Sequence, residues 1–178
     1  EELLHQELFS PLGMNRSWLP FRTTPATGEA RMRPAYLHGV EVSSAPAITA
    51  DWAGGGVAST HEDLLSFSRA LWSYRLLSKE TLEHFLSFDQ RFGRGMLYGR
   101  GVMKYRFGEF VPFLKHYPDM VGHIGVLGTQ LFYLPERELH VIASLGSDKG
   151  TAASVKLLIG SLRVVLRMQQ KKKGEARS

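Results

Sequence analysis

Two apolar runs, Leu127 to Leu134 and Leu139 to Leu145, enclose the tetrapeptide Pro135-Glu136-Arg137-Glu138. Proline at the second position of a turn presets φ, and charged neighbours keep the loop in water, so this segment predicts a β-hairpin. A hairpin alone is marginal in water and needs further strands or a helix on its apolar face. The residues that follow supply a helix. Val155, Leu158, Ile159, Leu162, Val165 and Leu166 recur at spacings of three and four, the pattern of an amphipathic helix of about four turns, which is expected to end before Lys171, Lys172 and Lys173.

The residues before the hairpin change period along their length. Glu1 to Phe9 reads as a helix with Leu4 and Leu8 on one face, stopped by Ser10-Pro11. Residues 15–57 hold many turn formers and no sustained period, and they close on Gly54-Gly55-Gly56. A stretch this long without a period usually carries function or covers a site. Ser59 with Glu62 forms a capping box, with Thr60 and Asp63 as a near substitute one register later. Leu64, Leu65, Phe67, Leu71 and Trp72 then give an apolar face at helical spacing. A second helix starts near Ser78, with Glu80 in its first turn. Beyond Phe88 the pattern becomes that of strands: Tyr98 to Tyr105, Gly108 to Leu114, and a short one at Val121 to His123. Helices, then antiparallel strands, then a helix predict an α+β fold with helices packed on an antiparallel sheet. Residues 1–168 are expected to form one unit and residues 169–178 a basic disordered tail.

Composition excludes several kinds of function. The chain has no cysteine, hence no disulfide and no thiolate metal site. No apolar run reaches the roughly 18 residues of a membrane span, and no signal peptide is visible. The chain opens on Glu1 and already reads as helix interior there, which is expected of a sequence that continues upstream. Of the net charge of +5, Lys171, Lys172, Lys173 and Arg177 against Glu175 contribute +3. No basic stripe interleaved with aromatics exists elsewhere, so nucleic acid is not an expected partner. Seven histidines are present, but none stands in His-Glu-x-x-His or another tight ligand spacing, and neither a metal nor a cofactor is expected. The glycine triple lacks the Gly-Lys-Ser/Thr of a phosphate loop. Neither a Gly-x-Ser-x-Gly elbow nor a Ser-x-x-Lys occurs. Asn15 is the sole asparagine, and it follows neither Tyr-x nor Ser-x.

One segment reads as a site: Val121-Gly122-His123-Ile124-Gly125-Val126-Leu127-Gly128. A histidine between a short strand and a hairpin, flanked by glycines, leaves room for a ligand or another backbone to come close. Residue types alone leave two readings open, a bulged strand with a packed histidine and a catalytic segment.

Several segments, in order, resemble one family. Pro11-Leu12-Gly13-Met14 resembles the turn that follows the long helix of class C β-lactamases and their relatives. Ala53-Gly54-Gly55-Gly56-Val57-Ala58-Ser59-Thr60 with Asp63-Leu64-Leu65-Ser66-Phe67 is similar to the family's AGG-x-x-ST-x-x-DL-x-x-F segment. Leu76-Leu77-Ser78 with Thr81-Leu82 resembles the next helix start, Tyr98-Gly99-Arg100-Gly101 the YG-x-G strand, and Pro135-Glu136 a later hairpin turn. Gly122-His123-Ile124-Gly125 is similar to the His-x-Gly form of the third family motif, Lys-Thr-Gly in many relatives. The resemblance to serine β-lactamases, penicillin-binding proteins and D-aminopeptidase-esterases covers nearly the whole chain. It implies the C-terminal portion of that fold, with Ser-x-x-Lys and Tyr-x-Asn on a missing N-terminal segment of the same domain, and an isolated chain that exposes sheet edge and apolar faces and is itself inactive. It further implies acyl transfer through a serine ester on ester, D-amino-acid amide, peptide or β-lactam substrates. In that scheme His123 faces the substrate, and Gly125 precedes Val126, whose backbone N–H is an oxyanion donor. Because histidine is a weaker carboxylate anchor than lysine at neutral pH, esterase or D-aminopeptidase activity is expected over β-lactamase activity. The alternative is a non-catalytic binding or scaffold module on the same fold. Relatives are commonly exported, which points to the periplasm or cell exterior.

Overall fold

The computed structural model describes residues 1–50, 52–110 and 114–175. A six-stranded antiparallel sheet runs in strict sequence order. Its strands are β3 (Gln90–Gly93), β4 (Met96–Tyr98), β5 (Met103–Tyr105), β6 (Met120–Ile124), β7 (Gln130–Leu134) and β8 (Leu139–Ala143). A separate two-stranded ribbon, β1 (Tyr36–Leu37) and β2 (Val40–Glu41), lies in the irregular stretch. The expected hairpin is β7–β8, with Leu134 opposite Leu139 and a 3₁₀ turn over Pro135–Arg137. The α+β class with helices on an antiparallel sheet is what the model shows.

Alternation along the strands sends side chains to two faces. One face carries Met103, Tyr105, Met120, Phe132 and Leu134, packed on Leu158 and Leu162 of the last helix, α7 (Thr151–Glu175). Burying side chains of this size contributes about 1.5–3 kcal/mol each relative to exposure. The other face is covered by α4 (His61–Trp72), where the Trp72 ring stacks on Tyr133 at 4.7 Å and Tyr133 lies 4.8 Å from His140. There the buried Ser68 hydroxyl meets His140 Nδ1 at 2.8 Å. The shorter α5 (Lys79–Phe85) follows, capped by Ser78, whose hydroxyl accepts the Thr81 N–H at 3.1 Å. Among the described residues β8 pairs only with β7, and α7 leaves Leu157, Val164 and Met168 exposed.

Four expectations are corrected. The first helix does not stop at Ser10-Pro11. Its α-helical start α1 (Glu2–Leu4) widens to a π turn over His5–Phe9 and continues as α2 (Ser10–Leu12), and Gly13 at φ 66° ends it. Pro11 has no N–H and its ring needs room on the preceding turn, which the wider coil provides. Second, α4 is capped by Thr60, whose hydroxyl accepts the Asp63 N–H at 3.2 Å, rather than by Ser59. Ser59 instead meets the Ser17 hydroxyl at 2.7 Å. Third, the described residues between Gly108 and Leu114 form no strand. Phe107–Phe110 forms a helical turn, α6, that buries Phe107, while residues 111–113 lie outside the described residues. A Cβ at Gly108 would sit 2.9 Å from Lys115 Cα, so the glycine lets the chain fold back there. Fourth, α7 runs on through the lysines to Glu175, since Gln, Lys, Leu and Arg are all good helix formers. Of the expected tail, residues 176–178 lie outside the described residues.

The irregular stretch is fastened at both ends. It includes the 3₁₀ turn Pro46–Thr49 and the helical turn α3 (Trp52–Gly55). Trp18 and Ala58 exchange backbone hydrogen bonds at 3.0 and 2.9 Å. Beside them Asp63, only 7% exposed, accepts the Arg16 N–H at 2.9 Å and the Ser17 hydroxyl at 2.8 Å. One carboxylate thus joins the first turn of α4 to the chain leaving α2.

Two predictions follow from these contacts. Asp63→Ala removes the acceptor of the Arg16 N–H and one of the two partners of the buried Ser17 hydroxyl, so it should lower stability by about 2–3 kcal/mol in urea denaturation, whereas Ser59→Ala should cost under about 1 kcal/mol. The second concerns acid. Burial and then the neighbouring Arg69 charge hold the His140 imidazole below its ordinary value of 6.5. The unfolded chain therefore binds a proton before the folded one does, and stability rises with pH up to that value and falls below it. His140→Gln should flatten the dependence of the melting temperature just below pH 6.5, while the carboxylate-driven loss at lower pH remains.

Candidate active site

His123 occupies β6 opposite Leu131 of β7. It lies on the sheet face that α4 and α5 cover, but near the strand end, where its ring is exposed. Two contacts fix that ring. Nδ1 lies 2.9 Å from the Ile124 carbonyl oxygen, and Nε2 contacts the Tyr98 hydroxyl. A carbonyl only accepts, so Nδ1 carries a proton; when the ring is neutral, Nε2 is left to accept from the Tyr98 O–H. The Tyr98 and His123 rings meet edge to face at 5.7 Å. Tyr98 ends β4, and a close approach holds it: a Cβ at Gly99 would lie 2.4 Å from the Phe85 carbonyl oxygen, to which the Arg100 N–H donates at 3.0 Å.

Glycines behave differently along the segment. At Gly122 a Cβ would stand 2.0 Å from the Leu131 carbonyl oxygen and 2.7 Å from Phe132 Cα. The β6–β7 pairing therefore has no room for any side chain at 122. Gly125 is unlike it: a Cβ there meets only Thr129, at 3.6 Å, an ordinary contact. Its own N–H donates to the Thr129 carbonyl at 2.7 Å, and its carbonyl accepts from Gly128 at 2.9 Å. These bonds close the β6–β7 turn and push Val126 outward, 70% exposed. Among the described residues the Val126 N–H has no acceptor. The chain's own packing thus demands glycine at 122 and leaves the choice at 125 to whatever approaches from outside.

The turn is also tied to the irregular stretch. The Ser147 N–H donates to the Leu127 carbonyl at 2.8 Å, the Tyr36 N–H to the Gly146 carbonyl at 2.8 Å, and Tyr36 bridges Ser147. The Asp148 carboxylate accepts the His38 N–H and lies 3.1 Å from His38 Nδ1. Through these links the β1–β2 ribbon sits one layer from Leu127 and Val126. Tyr36 acts here as an anchor through its backbone, and its side chain stays partly exposed. Beneath His123 a cavity of about 110 Å³ opens between the sheet and α4, lined by Phe67, Leu71, Leu82, Val102 and Leu131. A wider groove of about 770 Å³, lined by Trp18, Phe21, Arg22, Arg31 and others of the irregular stretch, shares no residue with it. Among the described residues no cluster of His, Asp or Glu is arranged to hold a metal, and no helix is long and apolar enough to cross a membrane.

The beta-lactamase family model matches residues 1–160. The chain belongs to the beta-lactamase family. Three solved structures with related folds are a D-amino acid amidase from Ochrobactrum anthropi SV3, complexed with L-phenylalanine amide, an octameric penicillin-binding protein homologue from Pyrococcus abyssi, and a penicillin-binding protein from Bacillus halodurans. The amidase shares 22% identity at a TM-score of 0.67, over 96% of this chain and 51% of its own. The Pyrococcus homologue shares 26% at 0.62, over 90% of this chain and 37% of its own. For the Bacillus protein the values are 17% and 0.63, over 90% and 48%. This beta-lactamase-family chain therefore spans about half the length, or less, of the structures it matches. Comparison with curated protein sequences gave no significant match.

Of the three residues singled out in the sequence, His123 lies near the end of β6, Gly125 closes the β6–β7 turn and Val126 stands on that turn. Tyr98 carries the YG-x-G resemblance, but its contact with His123, 25 residues away and reached across β5, leaves no local signal in the sequence. The glycine contrast yields a prediction. Gly122→Ala should break the β6–β7 register and cost at least about 3 kcal/mol. Gly125→Ala should melt within about 1 kcal/mol of the parent, as thermal unfolding will show.

Proposed function

We infer that this chain supplies the sheet-borne half of a serine hydrolase site, and that the nucleophilic serine, its lysine and the Tyr-x-Asn motif belong to a segment outside this sequence. The observation that carries the reading is the Val126 N–H. Val126 is exposed, and its N–H lacks an intramolecular acceptor among the described residues and is held on a turn closed by two short backbone hydrogen bonds. Acyl transfer places negative charge on the carbonyl oxygen, and preorganised N–H donors at that position supply much of the rate, about 3–4 kcal/mol for each donor removed. The Val126 N–H serves as one donor, and the serine's own N–H serves as the other.

His123 lies beside that donor with its ring fixed by Ile124 and Tyr98. In its neutral form it presents no cation to a substrate carboxylate. Esters and D-amino-acid amides or peptides are therefore favoured over β-lactams, whose carboxylate calls for a positive partner. The neighbouring D-amino acid amidase fold is consistent with this preference. A binding or scaffold module is the second reading, and it fits the same fold with no serine supplied.

The test is labelling by a fluorophosphonate, followed by intact mass. The 178-residue chain alone should take no adduct. A longer protein that carries the preceding segment should take one, on the serine of Ser-x-x-Lys, and should turn over short-chain esters or D-amino-acid amides faster than cephalosporins. In that longer protein Gly125→Ala, though stable, should lower kcat/KM by about a hundredfold as its methyl crowds the oxyanion. An adduct on the chain alone, or none on the longer protein, overturns the reading.

A further inference from the structure

A β-bulge in β3 points to what this site selects. Arg91 pairs with Leu97 and Gly93 with Met96, so Phe92 is the extra residue and has no partner in the ladder. Bulges bend a strand and re-aim the side chain they carry, and they recur beside active sites. The Phe92 ring is turned towards Tyr98, with centroids 6.0 Å apart at 59°, and Tyr98 in turn meets His123 at 5.7 Å. Three rings form a continuous row that ends at the proposed reacting centre. Yet Phe92 remains 70% exposed, so most of a phenyl surface lies in water next to that row.

The charges around the ring restrict its ligand. Arg91 contacts a Glu109 carboxylate oxygen at 2.6 Å, and Arg94 donates to the Glu109 carbonyl at 2.6 Å. The set is net positive, which disfavours an ammonium over the rings, although exposed aromatic faces otherwise attract cations. An uncharged aromatic group gains from both ring faces without opposing that charge.

We propose that Phe92 and Tyr98 form a specificity ledge that binds an uncharged aromatic group of the substrate beside the carbonyl to be attacked. The proposal rests on the serine hydrolase reading for its chemistry, but the ledge is testable without turnover. The probes are N-benzylacetamide and, as an aliphatic control, N-butylacetamide, titrated into the 178-residue chain and followed by NMR on the ring protons of His123 and Tyr98. The benzyl probe should shift both rings. Phe92→Leu should weaken its binding about three- to tenfold, leave the butyl probe unchanged and keep the melting temperature, since the side chain is exposed. Phe92→Trp should restore binding of the benzyl probe.

Equal binding of the two probes, parallel weakening of both in Phe92→Leu, or no shift at His123 and Tyr98 overturns the ledge. Fluorophosphonate labelling of the longer protein keeps the two ideas separate. If the label attaches while the benzyl probe finds no preference, the hydrolase reading stands and the ledge falls. If the benzyl probe binds through Phe92 while the longer protein stays unlabelled, the ledge stands and the hydrolase reading falls.

Discussion

The pairing of β6 with β7 is the constraint on which this structure rests. Gly122 lets the two backbones close to a distance that no side chain would permit, and so the register cannot slip. A slip by one residue would exchange the faces. Met120 and Phe132 would leave α7, and Val121 and Tyr133 would leave α4. In the observed register one strand feeds the core through alternate residues and delivers His123 to the opposite face at its open end. The same ladder ends in the turn that holds Val126 outward. Core and site therefore share a single cause.

Legibility from sequence followed the range of the interactions. The β7–β8 hairpin, the two capped helices and the amphipathic C-terminal helix are encoded within a few residues, and each lies where its pattern put it, save that α4 is capped one residue later and the last helix runs on through the lysines. Features decided across distance were not readable. Ser59 and Thr60 both qualify as caps, and the choice falls to Thr60 because Ser59 is taken by Ser17, 42 residues away. Phe110 falls in an expected strand, and its place in a helical turn instead follows from the fold-back at Gly108. Strand β3 contains Arg91, Gly93 and an unpaired Phe92, so it lacks the alternation by which strands are recognised.

The candidate site shows the same division. Residue types alone left His123 between a packed and a catalytic role; ordered resemblance to a family, not spacing, favoured the second. Its neighbour Gly125 carried the family's expectation of a required glycine, yet the steric demand lies three residues earlier, at Gly122. Tyr98 stood in a matched motif without a role, because its role depends on β5 and on the approach of Phe85 at Gly99. A motif read along the chain identifies which residues belong together, and the pairing of strands then says what each one touches.

On the proposed reading, the hydrogen bonds of His123 decide what the site offers to a substrate. A lysine at this position would present a point charge with three donors and would suit a carboxylate. His123 spends its Nδ1 proton on the Ile124 carbonyl and its Nε2 lone pair on Tyr98. What remains facing outward is a phenolic oxygen with free lone pairs and a backbone N–H. The first accepts a hydrogen bond from an amide or amine, and the second donates to a carbonyl oxygen. Such a pair suits a neutral amide or an ester drawn along an aromatic row, and it gives a free carboxylate no cation to pair with. Selectivity in this arrangement arises from how the histidine is already engaged within its own strand, and a charge at the same position would work against it.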